Sequence, residues 1–147
     1  MKIRTYREVS RIPTFEDRFE YLKLGGKVGE ASFGFDRYLN QILYRSPEWK
    51  RTRAGILIRD EFDGHSCDLA VAGRPIPVKP IVHHINPITL EDIEQRADCV
   101  FDPENLITVS HDTHNALHFG DASLLPKLPI ERRKGDTSLW NPTRMRS

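Results

Sequence analysis

Five of the six histidines in this 147-residue chain fall between positions 83 and 118. His114 and His118 stand four apart in HDTHNALH. On a helix that spacing puts both imidazoles on one face, where they can share one ion at about 2.0–2.1 Å. A helical HxxxH is a two-ligand clamp, and its third ligand must come from elsewhere. The adjacent pair in VHHI, His83 and His84, supplies candidates. Neighbouring residues of a strand point to opposite sides, so the two histidines have different roles. One can bind the metal. The other stays free, and an imidazole titrates close enough to neutrality to take a proton from water.

These side chains need a helix and strands to carry them. Ser110 reads as the N-cap of a helix that ends at Gly120, a suitable left-handed C-cap. DLAVAG and PVKPIVHHI read as short strands of a β-hairpin turning around Gly73 to Pro77, and the last five residues of FDPENLITV read as another strand. Thr89-Leu90-Glu91-Asp92 is a capping-box signal for a short helix over 90–98. Towards the N-terminus, Thr14 and Asp17 resemble a second capping box, with Phe15, Phe19 and Leu22 at i, i+4 and i+7 before Gly25 and Gly26. Phe35, Leu39, Ile42 and Leu43 repeat the helical spacing from about Asp36, and Ser46-Pro47 starts a further helix. The Gly-rich KLGGKVGEASFG contains no phosphate-binding motif and reads as a loop. The segment after Gly120, with Pro126, Pro129 and ERRKGD, lacks periodicity and either wraps the surface or moves.

Composition bounds the remaining possibilities. With 38% hydrophobic and 29% charged residues, the chain suits one globular domain. No apolar run approaches the roughly 20 residues that span a bilayer, and MKIRTYREVS lacks a secretory apolar region, so a cytoplasmic protein without membrane contact is expected. Cys67 and Cys99 are too few for a disulfide framework or a four-cysteine zinc site. Charge is unevenly spread. Residues 1–59 carry 13 Lys and Arg against 7 Asp and Glu (+6), residues 60–126 carry 3 against 12 (−9), and residues 127–147 carry 6 against 2 (+4). Basic ends around an acidic middle suit a polyanionic partner.

The order and spacing of these residues resemble the HNH nuclease family, also called the ββα-metal or His-Me finger fold, in its three-histidine variety as seen in colicin DNases. The family's double-histidine strand matches His83-His84, followed by Ile85 and Pro87-Ile88. Its central asparagine matches Asn105 in DPENLI, and its terminal histidines, nine and thirteen residues later, match His114 and His118. The loop between His84 and Asn105 is longer than usual and holds the extra helix, an insertion that costs little closure entropy. GFDRYLNQILYRSPEWKRTR, SLLPK and GDTSLW also resemble free-standing HNH nucleases of tailed phages and prophages. Paired CxxC knuckles, common in the family, appear here as Gly64 to Cys67 and Ser110 to Thr113, with three of four sulfurs missing, so no structural zinc is expected.

The resemblance implies an α+β chain of one domain: a mainly helical basic extension over 1–60, a ββα-metal core over 61–120 with the inserted helix, and a basic tail over 121–147. It implies an endodeoxyribonuclease giving 5′-phosphate and 3′-hydroxyl ends. One divalent ion (Mg²⁺, Mn²⁺, Ni²⁺ or Zn²⁺) would be held by His83, His114 and His118, His84 would be the general base, and Asn105 would hold the loop carrying His84. DNA would be the partner, with other phage DNA-processing or packaging proteins as further candidates in a bacterial host cytoplasm. Arg51, Arg53, Arg59, Arg132, Arg133 and Lys134 are the candidate phosphate contacts. His111 is expected on an exposed first turn, His65 and Cys67 in an inert loop, and Trp49 in the core. The rival reading is a DNA-binding accessory protein on the same scaffold that does not cleave.

Overall fold

The computed structural model describes residues 3–24, 41–43 and 45–127. The loop at KLGGKVGEASFG after Leu24, most of the helix expected from Asp36, and Arg132, Arg133 and Lys134 lie outside the described residues. The described chain is mixed α+β. Two short helices, α1 (Tyr6–Val9) and α2 (Phe15–Leu22), precede a longer α3 (Pro47–Arg59). A two-residue ribbon follows, β1 (Glu61–Phe62) with β2 (His65–Ser66). After a turn-rich segment come β3 (Ile81–His84), α4 (Leu90–Glu94), α5 (Asp98–Phe101), β4 (Leu106–Val109) and α6 (His111–Phe119).

The helix starts follow side-chain chemistry. Thr14, Ser46 and Ser110 each accept a hydrogen bond from the backbone N–H three residues on, satisfying one of the donors a helix leaves unpaired at its start. Thr89 and Asp92 form the complete reciprocal capping box at α4. The single helix expected over 90–98 is broken into α4 and α5. Arg96 turns into the left-handed region at φ 52°, which a continuous right-handed helix excludes.

The expected hairpin between 68–73 and 77–85 is not formed. Asp68–Ala70 is instead a 3₁₀ turn, with Leu69 and Ala70 at φ 53° and 59°. Its cause is Asp68, whose buried carboxylate is drawn inward by three donors from Ser110 and Thr113. β3 pairs antiparallel with β4, in the register Ile81 to Val109, Val82 to Thr108, His83 to Ile107 and His84 to Leu106.

That β3–β4 ribbon separates two apolar clusters. On one side Ile107 and Val109 join Val9, Phe15, Phe19, Leu22, Leu69, Ile85, Ala116 and Leu117. On the other, Val82 and Leu106 join Leu43, Trp49, Ile56, Ile88 and Val100. Each large side chain so buried contributes about 1.5–3 kcal/mol of transfer free energy. The first cluster includes α1 and α2, so the N-terminal helices complete the core on the α6 side of the ribbon.

At the end of α3, Arg59 and Asp60 tie helix to ribbon. Arg59 Nε and Nη2 donate to the Asp60 carboxylate, Nη1 to the Pro103 carbonyl and Nη2 also to the Leu106 carbonyl, while the guanidinium lies 3.4 Å from the centroid of the Tyr6 ring. Asp60 in turn accepts from the backbone N–H of Thr108 at 2.9 Å. Asp60→Ala would strand both Arg59 and a ribbon N–H. The expected loss is about 3 kcal/mol, the scale for breaking a buried pair from one side, measured as a lower urea midpoint at unchanged slope. A loss below about 1 kcal/mol would mean that water already screens the pair.

Candidate metal centre

The pleat of the ribbon assigns the two adjacent histidines to different surroundings. His83 sits opposite Ile107, on the face that meets α6, and its ring packs edge-on against His114 and His118 at centroid distances of 5.2 and 5.1 Å. His114 and His118 lie one turn apart on α6, their rings 4.6 Å apart at 79°. All three are buried, at 1%, 5% and 2% exposure.

Ligand nitrogens from His83, His114 and His118 lie within 4.8 Å of one another. The Nε2 atoms of His114 and His118 are 3.2 Å apart. Two imidazole nitrogens bound at 2.0–2.1 Å to a tetrahedral ion would be about 3.3 Å apart, so the helical pair already has the required spacing. Three imidazoles form a donor set that suits Zn²⁺, Ni²⁺ and similar ions, whereas Mg²⁺ favours oxygen. Among the described residues, this is where His, Cys, Asp and Glu side chains gather in a group fit to hold a metal ion.

His84 has other neighbours. Its ring stacks on Trp49 of α3 at 5.3 Å and 20° between planes, and its Nε2 lies 3.0 Å from the carbonyl oxygen of Val100 in α5. A carbonyl only accepts, so Nε2 carries the proton and, in the neutral ring, Nδ1 carries the lone pair. The inserted segment between β3 and β4 thus sets the orientation of the imidazole next to His83.

Asn105 stands one residue before β4, opposite Ile85, whose N–H donates to the Asn105 carbonyl at 2.7 Å. Its side-chain oxygen accepts from the backbone N–H and the side-chain amide of Asn86, at 2.8 and 2.7 Å. Its amide nitrogen donates to the carbonyls of Cys99 (2.8 Å) and Asn86 (3.3 Å). One neutral amide thereby ties the loop leaving His84 to the segment whose Val100 carbonyl holds the His84 ring. Only a group that both donates and accepts can bridge in this way.

Sequence reasoning missed three participants. Asn86 bonds Asn105 and also exchanges hydrogen bonds with the backbone of Arg4, through its Oδ1 and Nδ2; the Asn-Pro after the double histidine was its one signal. The Val100 carbonyl belongs to the backbone and leaves no sequence signal. Asp68 lay hidden in a stretch that reads as a strand. Burial pushes its carboxyl above the ordinary carboxylate range, while the hydrogen bonds from Thr113 and Ser110 pull the other way.

The other expected residues are dispersed. His111 and His65 are exposed, and both line a cavity of about 890 Å³ beside Arg74, Ile76 and Lys127. Cys67 is buried, and burial pushes its thiol upward, away from the thiolate a zinc site needs. Trp49 is in the core as expected, but it also forms the stacking surface for His84. Arg51 is exposed on α3, Arg53 donates to the Pro80 carbonyl at 2.9 Å, and Arg59 is turned inward with every nitrogen bonded to protein. Arg59 therefore serves the fold, a correction to its expected place among the phosphate contacts. No described helix is long and apolar enough to cross a membrane.

No family model, curated protein or solved structure matches this chain.

The geometry predicts one transition-metal ion per chain. Calorimetric titration with Zn²⁺ or Ni²⁺ is expected to give a stoichiometry of one, with affinity falling at least tenfold in His83→Ala and unchanged in Cys67→Ser. Two tight ions, or loss of binding in Cys67→Ser, would contradict it.

Proposed function

We propose that the chain is a metal-dependent endonuclease of the HNH type, hydrolysing DNA phosphodiester bonds, with β3, β4 and α6 as its ββα-metal core. The observation that carries this reading is the division of labour between adjacent histidines. His83 joins a three-imidazole cluster, and the His84 ring is turned the other way, stacked on Trp49 with Nε2 against the Val100 carbonyl. A divalent ion held by His83, His114 and His118 would supply charge stabilisation for the phosphate and the departing 3′ oxygen. His84 takes the proton of the attacking water at Nδ1. The new bond forms between that water oxygen and phosphorus as the bond from phosphorus to the 3′ oxygen breaks, leaving 5′-phosphate and 3′-hydroxyl ends. Asn105 acts indirectly, keeping the His84 loop and the Val100 carbonyl in register. Arg51 and the basic ends are the proposed phosphate contacts, with DNA as the partner.

The second reading, an accessory protein that binds DNA without cutting it, draws on the burial of His84, which is only 5% exposed beneath Trp49. Plasmid cleavage separates the two. Wild-type protein with divalent ion is expected to nick supercoiled DNA and to stop when chelator is added. His84→Ala is expected to lose 10²–10⁴-fold in rate while metal and DNA binding survive, because a general base acts chiefly in the transition state. Activity within about tenfold of wild type would remove His84 from that role. DNA retardation without any nicking by wild type would favour the accessory reading.

The basic end gives a separate expectation. Removing residues 127–147, with their balance of +4, should weaken DNA affinity. The slope of log affinity against log salt should also become shallower, by roughly 0.9 for each phosphate that the shortened chain no longer neutralises. A folded truncated chain with the wild-type slope would assign phosphate binding to the N-terminal region instead.

A further inference from the structure

Two of the three clustered histidines ride on α6 and the third on β3, so the centre depends on how the helix is set against the ribbon. Spacing between His114 and His118 is a property of the helix itself. The distance to His83 is not, and needs a contact from outside the helix. The first turn of α6 has one. Asp68 Oδ1 accepts from the backbone N–H of Ser110 at 2.9 Å, and Asp68 Oδ2 accepts from the hydroxyls of Ser110 (2.9 Å) and Thr113 (2.5 Å). Ser110 Oγ meanwhile accepts from the backbone N–H of Thr113 and caps the helix. The cap pairs one donor of the helix start, but it does not fix the helix to anything else.

Asp68 is itself firmly held. Its N–H donates to the Arg74 carbonyl, Cys67 bridges to Pro75, and Arg18 donates to the Leu69 carbonyl at 2.8 Å. Leu69 is fully buried in the cluster that contains Ile107 and Leu117. The backbone enters the left-handed region at Leu69 and Ala70, neither of them glycine. Such a conformation is kept only where its surroundings enforce it, and here it turns the Asp68 carboxylate towards α6.

We propose that Asp68 is a positioning residue for the three-histidine centre, orienting α6 through Ser110 and Thr113 so that His114 and His118 meet His83. This rests on the reading of that cluster as a metal site, and the test separates the two. Co²⁺ is titrated into the purified full chain and its ligand-field absorption recorded, with thermal melting of the metal-free protein alongside. Wild type is expected to bind one Co²⁺ with the intense spectrum of a four-coordinate site; failure to bind would overturn the metal-site reading and the inference with it. Below its melting temperature, Asp68→Asn is expected to bind about tenfold more weakly, with a weaker spectrum as the third imidazole is lost. Thr113→Val, close to threonine in shape, is expected to show the same change in smaller degree, and Thr113→Ser, which keeps the hydroxyl, to restore affinity and spectrum. Should Asp68→Asn not fold, the Thr113 pair decides. Lower melting temperatures with wild-type Co²⁺ affinity and spectrum would make Asp68 a purely structural residue and overturn the proposal, leaving the metal site intact.

Discussion

The two-residue period of a β-strand is the constraint from which the rest of the site follows. In Ile81–His84, Val82 and His84 share one face and Ile81 and His83 the other. The ribbon therefore delivers one imidazole to α6 and the next to Trp49 and Val100. Each face is backed by its own apolar cluster, and a slip of one residue would reverse both assignments. Two neighbouring identical residues are thus given different surroundings by the pleat alone.

Burial raises what is at stake at each polar group around this ribbon. Asp60, Asp68 and Asn105 are all buried, and the hydrogen bonds of each join separate segments of the chain. An unpaired buried polar group is costly, so such groups specify one arrangement where apolar contacts tolerate several. Asp60 fixes α3 to β4, Asn105 fixes the loop after β3 to the inserted segment, and Asp68 fixes the turn after β2 to α6. These three ties surround the histidines without including them. The proposed chemistry thus sits in a frame held by protein hydrogen bonds, in a chain with too few cysteines for a four-cysteine zinc knuckle.

Local signals could be read from sequence because their causes are local. The caps at Thr14, Ser46, Thr89 and Ser110 depend on side chains within three residues, and the left-handed Gly120 that ends α6 depends on one. That His114 and His118 share a helix face, and that His83 and His84 face opposite ways, was likewise readable from the i, i+4 spacing and the strand period; the choice of His83 as the third member came from the resemblance to the HNH family. What escaped was set by partners distant in the chain. DLAVAG has strand-like composition, but Asp68 answers to Ser110 and Thr113, more than 40 residues away. Arg59 looks like a surface cation until Asp60, Pro103 and Leu106 are seen to use its guanidinium. The break at Arg96, which splits a plausible helix in two, carries no glycine or proline to announce it.

The central claim is that the ribbon and α6 build one metal centre that faces a DNA phosphate. It is tested most directly by anomalous diffraction from crystals of the full chain grown with Zn²⁺ and a short DNA duplex. The account predicts one anomalous peak bounded by the nitrogens of His83, His114 and His118 at about 2.0–2.1 Å, a phosphate oxygen in the remaining position, and His84 Nδ1 directed to the far side of that phosphorus. A peak among other residues, such as His65 and His111, or a three-histidine cluster that stays without metal while DNA is bound, would contradict it.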